Sequence, residues 1–238
     1  MKRVFTIVFL STIIFAFGAK AQVKSYIALY GGISDPIGNY KSTDYSNNQS
    51  GFAKQGVTFA IDGAYYIHKN FGIGATISFQ DQGKLNASEV FALAQGYTNS
   101  YAADQSTTNG YDRFHNWNAL IGPQYSFTYK NFLLDLRPSA GIVVVTSTPE
   151  TNTILVGVPE QTGIFYQYRS HGTVFGYGGV AGLRWKISDG FSIGIKGTYL
   201  ASPGTTVTNS VRSETLGREV TKLPINEFQT TIGFNISL

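Results

Sequence analysis

Three short polar turns recur about 60 residues apart along this chain, and a phenylalanine follows each of them. The turns are His68-Lys69-Asn70, Lys130-Asn131 and Ser188-Asp189-Gly190. An aromatic-rich run precedes each turn, and apolar residues alternate with small or polar ones after it. Polar turn residues between two alternating runs indicate β-hairpins. The chain is therefore predicted to contain three hairpins.

The segments around these hairpins complete a pattern of eight predicted strands. The strands lie near residues 25–33, 57–67, 71–80, 116–129, 132–146, 174–187, 191–200 and 225–238. Four long loops rich in Asn, Ser, Thr and Gly, which are typical of loops, occupy roughly 34–54, 81–113, 149–172 and 201–224. Short turns alternate with long loops, and both chain ends lie on the side of the short turns. This asymmetry is typical of outer-membrane barrels, whose short turns face the periplasm.

Alternate positions in the predicted strands differ in size as well as in polarity. Between residues 71 and 79 the odd positions are Phe, Ile, Ala, Ile and Phe, whereas the even positions are Gly, Gly, Thr and Ser. A soluble barrel turns its apolar face inward and its charged face to water. Eight strands enclose an interior just wide enough for side chains. We therefore place the small residues inside and the bulky apolar residues outside, toward lipid; a soluble lipocalin-type barrel is the alternative.

Six charged residues fall on the face with the small residues, and both signs are present. They are Asp62, Asp135, Arg137, Arg184, Lys186 and Lys196. A lone buried charge is costly, and pairing is the usual solution. We therefore predict a polar network that plugs the lumen. A proton or ion path through the same residues is the alternative, which the narrow interior of an eight-stranded barrel disfavours.

Aromatic residues cluster at the ends of the predicted strands. Such girdles are expected at both interfaces of a membrane barrel. One group flanks the short turns and contains Tyr65, Phe71, Tyr129, Phe132, Trp185 and Phe191. The other group lies toward the long loops and contains Phe79, Trp117, Tyr177 and Tyr199.

The first 21 residues differ from the rest in composition. Lys2 and Arg3 precede an apolar stretch over residues 4–18, and Ala19-Lys20-Ala21 follows as a small-x-small cleavage site. We interpret residues 1–21 as a cleaved secretory signal peptide and residues 22–238 as one outer-membrane barrel domain. An N-terminal membrane anchor is the alternative, for which the apolar run is short. Removing the three basic residues of the leader lowers the formal charge from +4 to +1.

Composition also limits the chemistry that the chain can perform. The chain has no cysteine, which excludes disulfides, cysteine-bound metals and an acylated N-terminal cysteine. It has no run of four Lys or Arg, no metal-ligand spacing, no phosphate-binding glycine loop and no paired-carboxylate motif. We therefore predict no cofactor, no metal site and no nucleic-acid partner.

The chain resembles the small eight-stranded outer-membrane β-barrel domains of the OmpA-barrel and OmpX-like kind. The resemblance covers the mature chain and rests on the Ala-x-Ala leader, the repeated turn-Phe-x-Ile/Leu pattern and the final strand FQTTIGFNISL. It departs at Leu238, where many such barrels end in an aromatic residue. The resemblance implies an all-β, up-and-down transmembrane barrel in the outer membrane of a Gram-negative cell, inserted by the outer-membrane assembly machinery. It also implies a structural, adhesive or surface-interaction role, with an unidentified ligand at the loops.

Two other functions remain as alternatives at this point. One is a narrow channel or small-molecule conduit. The other is a lipid-modifying enzyme, because some small outer-membrane barrels resemble lipid A acylases or deacylases. His115 and His171 are the candidate residues at the loop end for that chemistry, whereas His68 lies at the opposite end. A nucleophile needs a base within reach, and neither histidine has a serine two residues later, so we predict a protein without enzymatic activity.

The long loops carry two local signals. ILVGV-PEQTG-IFYQY in the third loop predicts a hairpin around residues 159–163. ASEVFALAQG in the second loop predicts one or two helical turns that end at Gly96. The third-loop hairpin suggests that the fifth and sixth strands extend beyond the membrane.

Overall fold

The computed structural model describes residues 23–111, 113–147, 150–157, 163–167, 172–204, 209–211 and 222–238. The predicted signal peptide, residues 1–21, lies outside the described residues. The long strands are β1 Tyr26–Pro36, β2 Gly56–His68, β3 Phe71–Lys84, β5 Arg113–Tyr129, β6 Phe132–Ser147, β9 Gly172–Lys186, β10 Phe191–Ala201 and β12 Asn226–Ser237. The short strands are β4 Gln105–Gly110, β7 Thr151–Val156, β8 Gly163–Gln167 and β11 Asn209–Val211. Within the described residues, one α-helix, α1, spans Ala87–Tyr101, and a 3-10 turn covers Gly38–Tyr40.

The eight long strands close into a barrel in which each strand is antiparallel to the next along the chain. The last strand, β12, returns to β1 and pairs with it from Tyr26↔Ser237 to Pro36↔Glu227. Every long strand is therefore hydrogen-bonded on both sides, which removes the exposed edges of an open sheet. The predicted fold, an all-β, eight-stranded antiparallel up-and-down barrel, is confirmed.

The short connections and both chain ends meet at one end of the barrel, the turn end. Residues 69–70 link β2 to β3, and residues 130–131 link β5 to β6. Lys69 and Lys130 adopt positive φ angles of 39° and 53°, as the tight two-residue turns of hairpins require. The N–H of Leu238 donates to the carbonyl of Ser25 at 2.8 Å, so the C-terminus lies beside the start of β1.

The long loops form a second small folded unit at the opposite end, the loop end; we call this unit the cap. The cap contains a four-stranded sheet in the order β11-β8-β7-β4, and α1 packs against β4 and β7. Its core consists of Tyr97, Ala103, Leu155 and Phe165. The predicted third-loop hairpin is confirmed as the β7–β8 pair, although most of its predicted turn lies outside the described residues.

The sequence around Asn86 determines where α1 begins. The side chain of Asn86 accepts from the N–H of Glu89 at 3.0 Å, and the Glu89 carboxylate accepts from the N–H of Asn86 at 2.6 Å. This reciprocal pair is a capping box, which satisfies two backbone donors of the first turn. The prediction that the helix ends at Gly96 is wrong, because α1 continues to Tyr101.

The outer wall of the barrel is apolar around its whole circumference. Outward positions of the long strands carry exposed residues such as Leu29, Phe59, Ile121 and Ile232, of which Ile232 is 64% exposed. Aromatic residues lie at both ends of this wall, as the sequence predicted. No helix within the described residues is both long enough and apolar enough to cross a membrane.

Candidate functional site

Asp62 is the centre of the polar network in the turn half of the barrel interior. Its Oδ2 lies 2.6 Å from Arg137 Nη2 and 3.0 Å from Lys196 Nζ, and the side chains of all three residues are at most 5% exposed. The hydroxyls of Tyr26 and Thr76 donate to the two carboxylate oxygens at 2.9 and 2.5 Å. Two cations and two hydroxyls therefore satisfy one buried carboxylate, as burial of a charge requires.

A second buried ion pair joins Asp135 on β6 to Arg184 on β9. Arg184 donates from Nε and Nη2 to the two oxygens of Asp135 at 2.5 and 2.9 Å. This bidentate geometry is the strong form of the Arg–carboxylate interaction. Ser126 also donates to Asp135 at 2.5 Å, and the guanidinium carbon of Arg184 lies 4.0 Å from the ring centroid of Tyr26. Tyr26 therefore links the two ion-pair clusters.

Small residues between the apolar positions of β3 and β10 provide room for these long side chains. A Cβ on Gly74 would meet the side chains of Arg137 and Gln124. A Cβ on Gly194 would approach the Tyr30 hydroxyl to 2.6 Å. The small inward residues therefore have a steric cause in the interior of a narrow barrel.

Five of the six charged residues predicted for the interior lie together in the turn half: Asp62, Asp135, Arg137, Arg184 and Lys196. Lys186 does not join them. It is near the end of β9, its side chain is 42% exposed, and it pairs with Asp189 of the adjacent turn at 2.7 Å. The prediction for Lys186 is wrong because alternation only assigns a residue to one face of its strand. At the last residue of β9 the inward face is already open to solvent.

Glu227 is a buried charge that the sequence analysis missed. It is fully buried near the start of β12, opposite Pro36, and so lies toward the loop end. Three neutral groups donate to its carboxylate: Ser34 at 2.8 Å, Gln229 at 2.7 Å and Asn118 at 3.2 Å. The alternation of β12 does place Glu227 on the inward face, two residues before Gln229, and that was the available signal.

The charged groups in the interior balance in number. Three acids, Asp62, Asp135 and Glu227, lie among three bases, Arg137, Arg184 and Lys196, and all six are buried. The turn half contains two of the acids and all of the bases, whereas Glu227 has only neutral hydrogen-bond partners among the described residues. The described interior thus contains equal numbers of acids and bases, with one more base than acid in the turn half and one acid toward the loop end.

An apolar layer closes the barrel interior at the loop end. It is formed by Tyr40, Ala53, Phe114, Leu120, Val143, Val145, Leu200, Leu223 and Ile225. Tyr40 enters this layer from the first loop, donates to Gln82 at 2.8 Å and accepts from Asn116 at 3.0 Å. Burial raises the pKa of the Tyr40 hydroxyl well above its ordinary value, so this group is neutral at physiological pH. Inward side chains therefore fill the mouth of the barrel.

Of the two histidines considered for catalysis, the structure describes only His115. His115 lies on β5 at the loop end, paired across the sheet with Asp81, and its ring centroid is 6.0 Å from that of Phe79. The carboxylate of Asp81 is held by Arg113 at 2.9 Å. His171 lies outside the described residues. His68 is at the turn end, where it is the last residue of β2 rather than part of the turn.

Metal-ligating side chains do not converge in the part of the chain that the structure describes. No group of three or more His, Cys, Asp or Glu residues is placed there so that it could hold a metal ion.

No protein-family model and no curated protein matches this chain. Several solved structures are similar to it. Neisserial surface protein A (NspA) has 8% identity and a TM-score of 0.46, over 92% of this chain and 100% of that one. Ail, the attachment invasion locus protein of Yersinia pestis, has 11% identity and a TM-score of 0.43, over 90% of this chain and 99% of that one.

The outer membrane protease OmpT of Escherichia coli is also similar, with 10% identity and a TM-score of 0.43 over 93% of this chain and 100% of that one. Identities of 8–11% and TM-scores below 0.5 give no basis for transferring a function from any of these proteins. The fold assignment rests on the strand pairing of this chain itself, which closes eight antiparallel strands into a barrel.

Proposed function

We propose that this chain is an integral outer-membrane β-barrel whose closed interior stabilises it and whose cap presents a folded surface for interaction outside the cell. On this proposal the turn end faces the periplasm and the cap faces outside. The partners are the lipid bilayer, the outer-membrane assembly machinery and a ligand of the cap that is not identified.

The observation that carries the proposal is the absence of charge from the outer wall. Between the two aromatic rows of the described barrel strands, no outward position carries a charged residue, and large apolar side chains dominate. The charged residues of these segments lie inside instead. Water would favour the opposite arrangement, because a soluble barrel turns its charged face outward.

The height of the apolar wall agrees with the thickness of a bilayer. On β5 the outward row runs from Trp117 to Tyr129. Twelve residue steps cover about 40 Å along the strand at roughly 3.3 Å each, and a tilt of about 40° reduces this to a height of about 30 Å. The hydrocarbon core of a bilayer is also about 30 Å thick. Aromatic residues at both ends of the row would then lie at the two interfaces.

The contents of the barrel favour a closed interior over a channel. The ion-pair clusters of Asp62 and Asp135 occupy the turn half, and an apolar layer around Tyr40, Val143 and Leu200 occupies the loop end. An ion crossing the barrel would have to displace both layers. An interior of eight strands has room for little besides its own side chains.

The folded cap supports an interaction role outside the membrane. The long loops form a sheet and a capped helix around an aromatic core, in which the ring centroids of Tyr97 and Phe165 lie 5.4 Å apart. A core of this kind holds the surrounding loop backbone in a defined shape. A pre-organised surface loses less entropy on binding a partner than flexible loops do.

Two measurements on one preparation test the proposal. We expect the protein to fractionate with outer membranes and to migrate faster on gels when unheated, because the folded barrel stays compact in detergent. In planar bilayers we expect no steady conductance from the folded protein. Purely soluble recovery would contradict the membrane assignment, and a steady conductance that disappears in Arg137→Ala would contradict the closed interior.

The proposal assigns no catalytic role to His115. Mass spectra of lipid A from cells that express the protein, or its His115→Ala variant, are expected to be the same as those of cells without it. A modification that appears with the protein and disappears in His115→Ala would establish the enzymatic alternative.

A further inference from the structure

The outer wall over β3 and β5 changes from apolar to basic within a few residues near the loop end. Successive outward pairs across the two strands are Ile77 with Ala119, Phe79 with Trp117, and Asp81 with His115. Past a bulge, Lys84 pairs with Arg113. Along one stripe of the barrel surface, aliphatic residues thus give way to aromatic and then to charged residues.

A third basic residue approaches the same place from the first long loop. Lys54 Nζ lies 3.6 Å, and Arg113 Nη2 lies 3.9 Å, from the position that a Cβ on Gly83 would occupy. The two nitrogens are therefore no more than about 7.5 Å apart, which is the sum of those distances. Gly83 has a φ of +72° at the bulge, a backbone conformation that favours glycine.

The charges at this place do not balance among the described residues. Arg113 is held by Asp81, to which it donates from Nε and Nη2 at 3.2 and 2.9 Å. Lys54 and Lys84 form no ion pair and no side-chain hydrogen bond with any described residue. These four side chains, of which Lys84 and Arg113 are exposed and the other two half-buried, carry a net formal charge of +2. Asp35, which accepts from Gln55 beside Lys54 at 2.6 Å, is a second acid in this region. Asp112 lies outside the described residues.

We propose that Lys54, Lys84 and Arg113, above Phe79 and Trp117, form a rim site that binds a phosphate-bearing lipid of the leaflet at the loop end. The proposal rests on the function proposed above, because it requires that the barrel spans the membrane. The basic side chains hold the phosphate through charge-assisted hydrogen bonds. The apolar wall below Phe79 and Trp117 receives the acyl chains.

The depth of the rim site favours a lipid headgroup over a free anion. Arg113 lies four residues beyond Trp117 on β5, which is about 13 Å along the strand and about 10 Å in height at a tilt of about 40°. The headgroup layer on each side of a bilayer is about 5–8 Å thick. The backbone of Arg113 therefore lies at the outer edge of the headgroup layer, where a long basic side chain is within reach of the lipid phosphates. Clusters of Lys and Arg at this level attract anionic lipids.

The test compares two double variants of the full chain that each lose two positive charges. Lys54→Gln with Lys84→Gln removes the unpaired bases of the rim site and leaves the Arg113–Asp81 pair intact. Lys69→Gln with Lys130→Gln removes two exposed lysines of the turn end and is the matched control. Each protein is placed in phosphatidylcholine nanodiscs, and lipid A with two phosphates is titrated in while native mass spectrometry counts the lipid that remains bound.

We expect the unaltered protein and the control to retain one lipid A with equal affinity, and the rim variant to bind it at least about tenfold more weakly. Inorganic phosphate at millimolar concentration is expected to leave this binding unchanged. Equal affinity of all three proteins would overturn the rim site, and displacement by inorganic phosphate would show a site for free anions instead. A chain that fails to enter nanodiscs would contradict the proposed function itself, whereas a folded barrel without a preference for lipid A would contradict the rim site alone.

Discussion

One carboxylate, that of Asp62, holds two cations inside the barrel. Arg137 and Lys196 both reach its Oδ2, and Lys196 Nζ also lies 4.1 Å from the ring centroid of Tyr30. A buried ion pair contributes little net stability compared with an apolar core, but removing one partner leaves an uncompensated charge. The network around Asp62 is therefore most sensitive to loss of the shared carboxylate.

Asp62→Asn is expected to destabilise the barrel by about 3–5 kcal/mol, because two buried cations would lose their common partner. The measurement is the free energy of unfolding in urea, followed by the loss of heat-modifiable gel mobility. Lys196→Met is expected to lower the free energy of unfolding much less, because Asp62 would keep its ion pair with Arg137.

Asp189→Asn is the matched control at the surface. Asp189 pairs with Lys186 at 2.7 Å in an exposed turn, and the hydrogen bond from Lys186 lowers the pKa of this carboxyl. The stabilisation from this pair is present at pH values above the ordinary pKa of an aspartate, and it is lost as the pH falls through the lowered pKa of Asp189. Exposed ion pairs contribute little to stability, so we expect no measurable change in the free energy of unfolding at neutral pH. If Asp62→Asn and Asp189→Asn lowered the free energy of unfolding by the same amount, the stabilising role of the buried network would be contradicted.

The sequence predicts well which way the side chain of a strand residue points, but it predicts poorly which other side chain that residue pairs with. Alternation alone placed Asp62 and Arg137 on the inward face, because successive residues of a strand point to opposite sides. Their pairing depends on how strands far apart in the chain approach across the lumen. Glu227 shows the limit, since its partners Ser34 and Asn118 come from two other strands.

Helix α1 shows how packing overrides a local signal at the scale of elements. Glycine normally favours a helix end, yet α1 continues through Gly96 for five more residues. A Cβ at this position would collide with the ring of Tyr45, which itself packs against Tyr97 with a centroid distance of 4.9 Å. Gly96 therefore lets the first loop pack against the helix of the second.

Gly96→Ala is expected to loosen the cap, although alanine favours an isolated helix by about 1 kcal/mol over glycine. The added methyl group would displace Tyr45 from its contact with α1. Protection of the loops from proteinase K in intact vesicles is the measurement, and cleavage should become at least severalfold faster.

Gln95→Ala is the control for this change, because Gln95 is exposed on the same helix turn. Its substitution raises helix propensity without a collision, so the rate of cleavage should stay the same or fall. A Gly96→Ala protein as resistant as the unaltered one would show that the contact with Tyr45 does not hold the cap together.

The strands of the barrel could be predicted closely, whereas the cap could be predicted only in parts. Each long strand carries its own alternation, and each tight turn carries its own polar residues. The sheet of the cap joins β4, β7, β8 and β11 from three different loops. Such long-range pairing leaves no periodic signal in any single loop.

The whole molecule has three levels along the barrel axis. Paired charges fill the turn half, an apolar layer around Tyr40 fills the mouth, and the cap lies beyond it with its own aromatic core. The outer wall is apolar alongside the first two levels and becomes polar toward the cap. This distribution of apolar and charged side chains is the reverse of that in a soluble barrel, and it suits a barrel whose solvent is lipid.

Oxygen and nickel accessibility of spin labels along β3 distinguishes an outer wall that faces lipid from one that faces water. The chain has no cysteine, so single cysteines at 71, 73 and each position from 75 to 79 can be labelled one at a time in bilayers; Gly72 and Gly74 are left out because a Cβ has no room there. With a lipid-facing wall, we expect positions 71, 73, 75, 77 and 79 to be accessible to oxygen dissolved in lipid, with a maximum near 75, and the even positions to be accessible to neither reagent. Odd positions accessible to the water-soluble nickel complex, or no two-residue period, would contradict a lipid-facing outer wall.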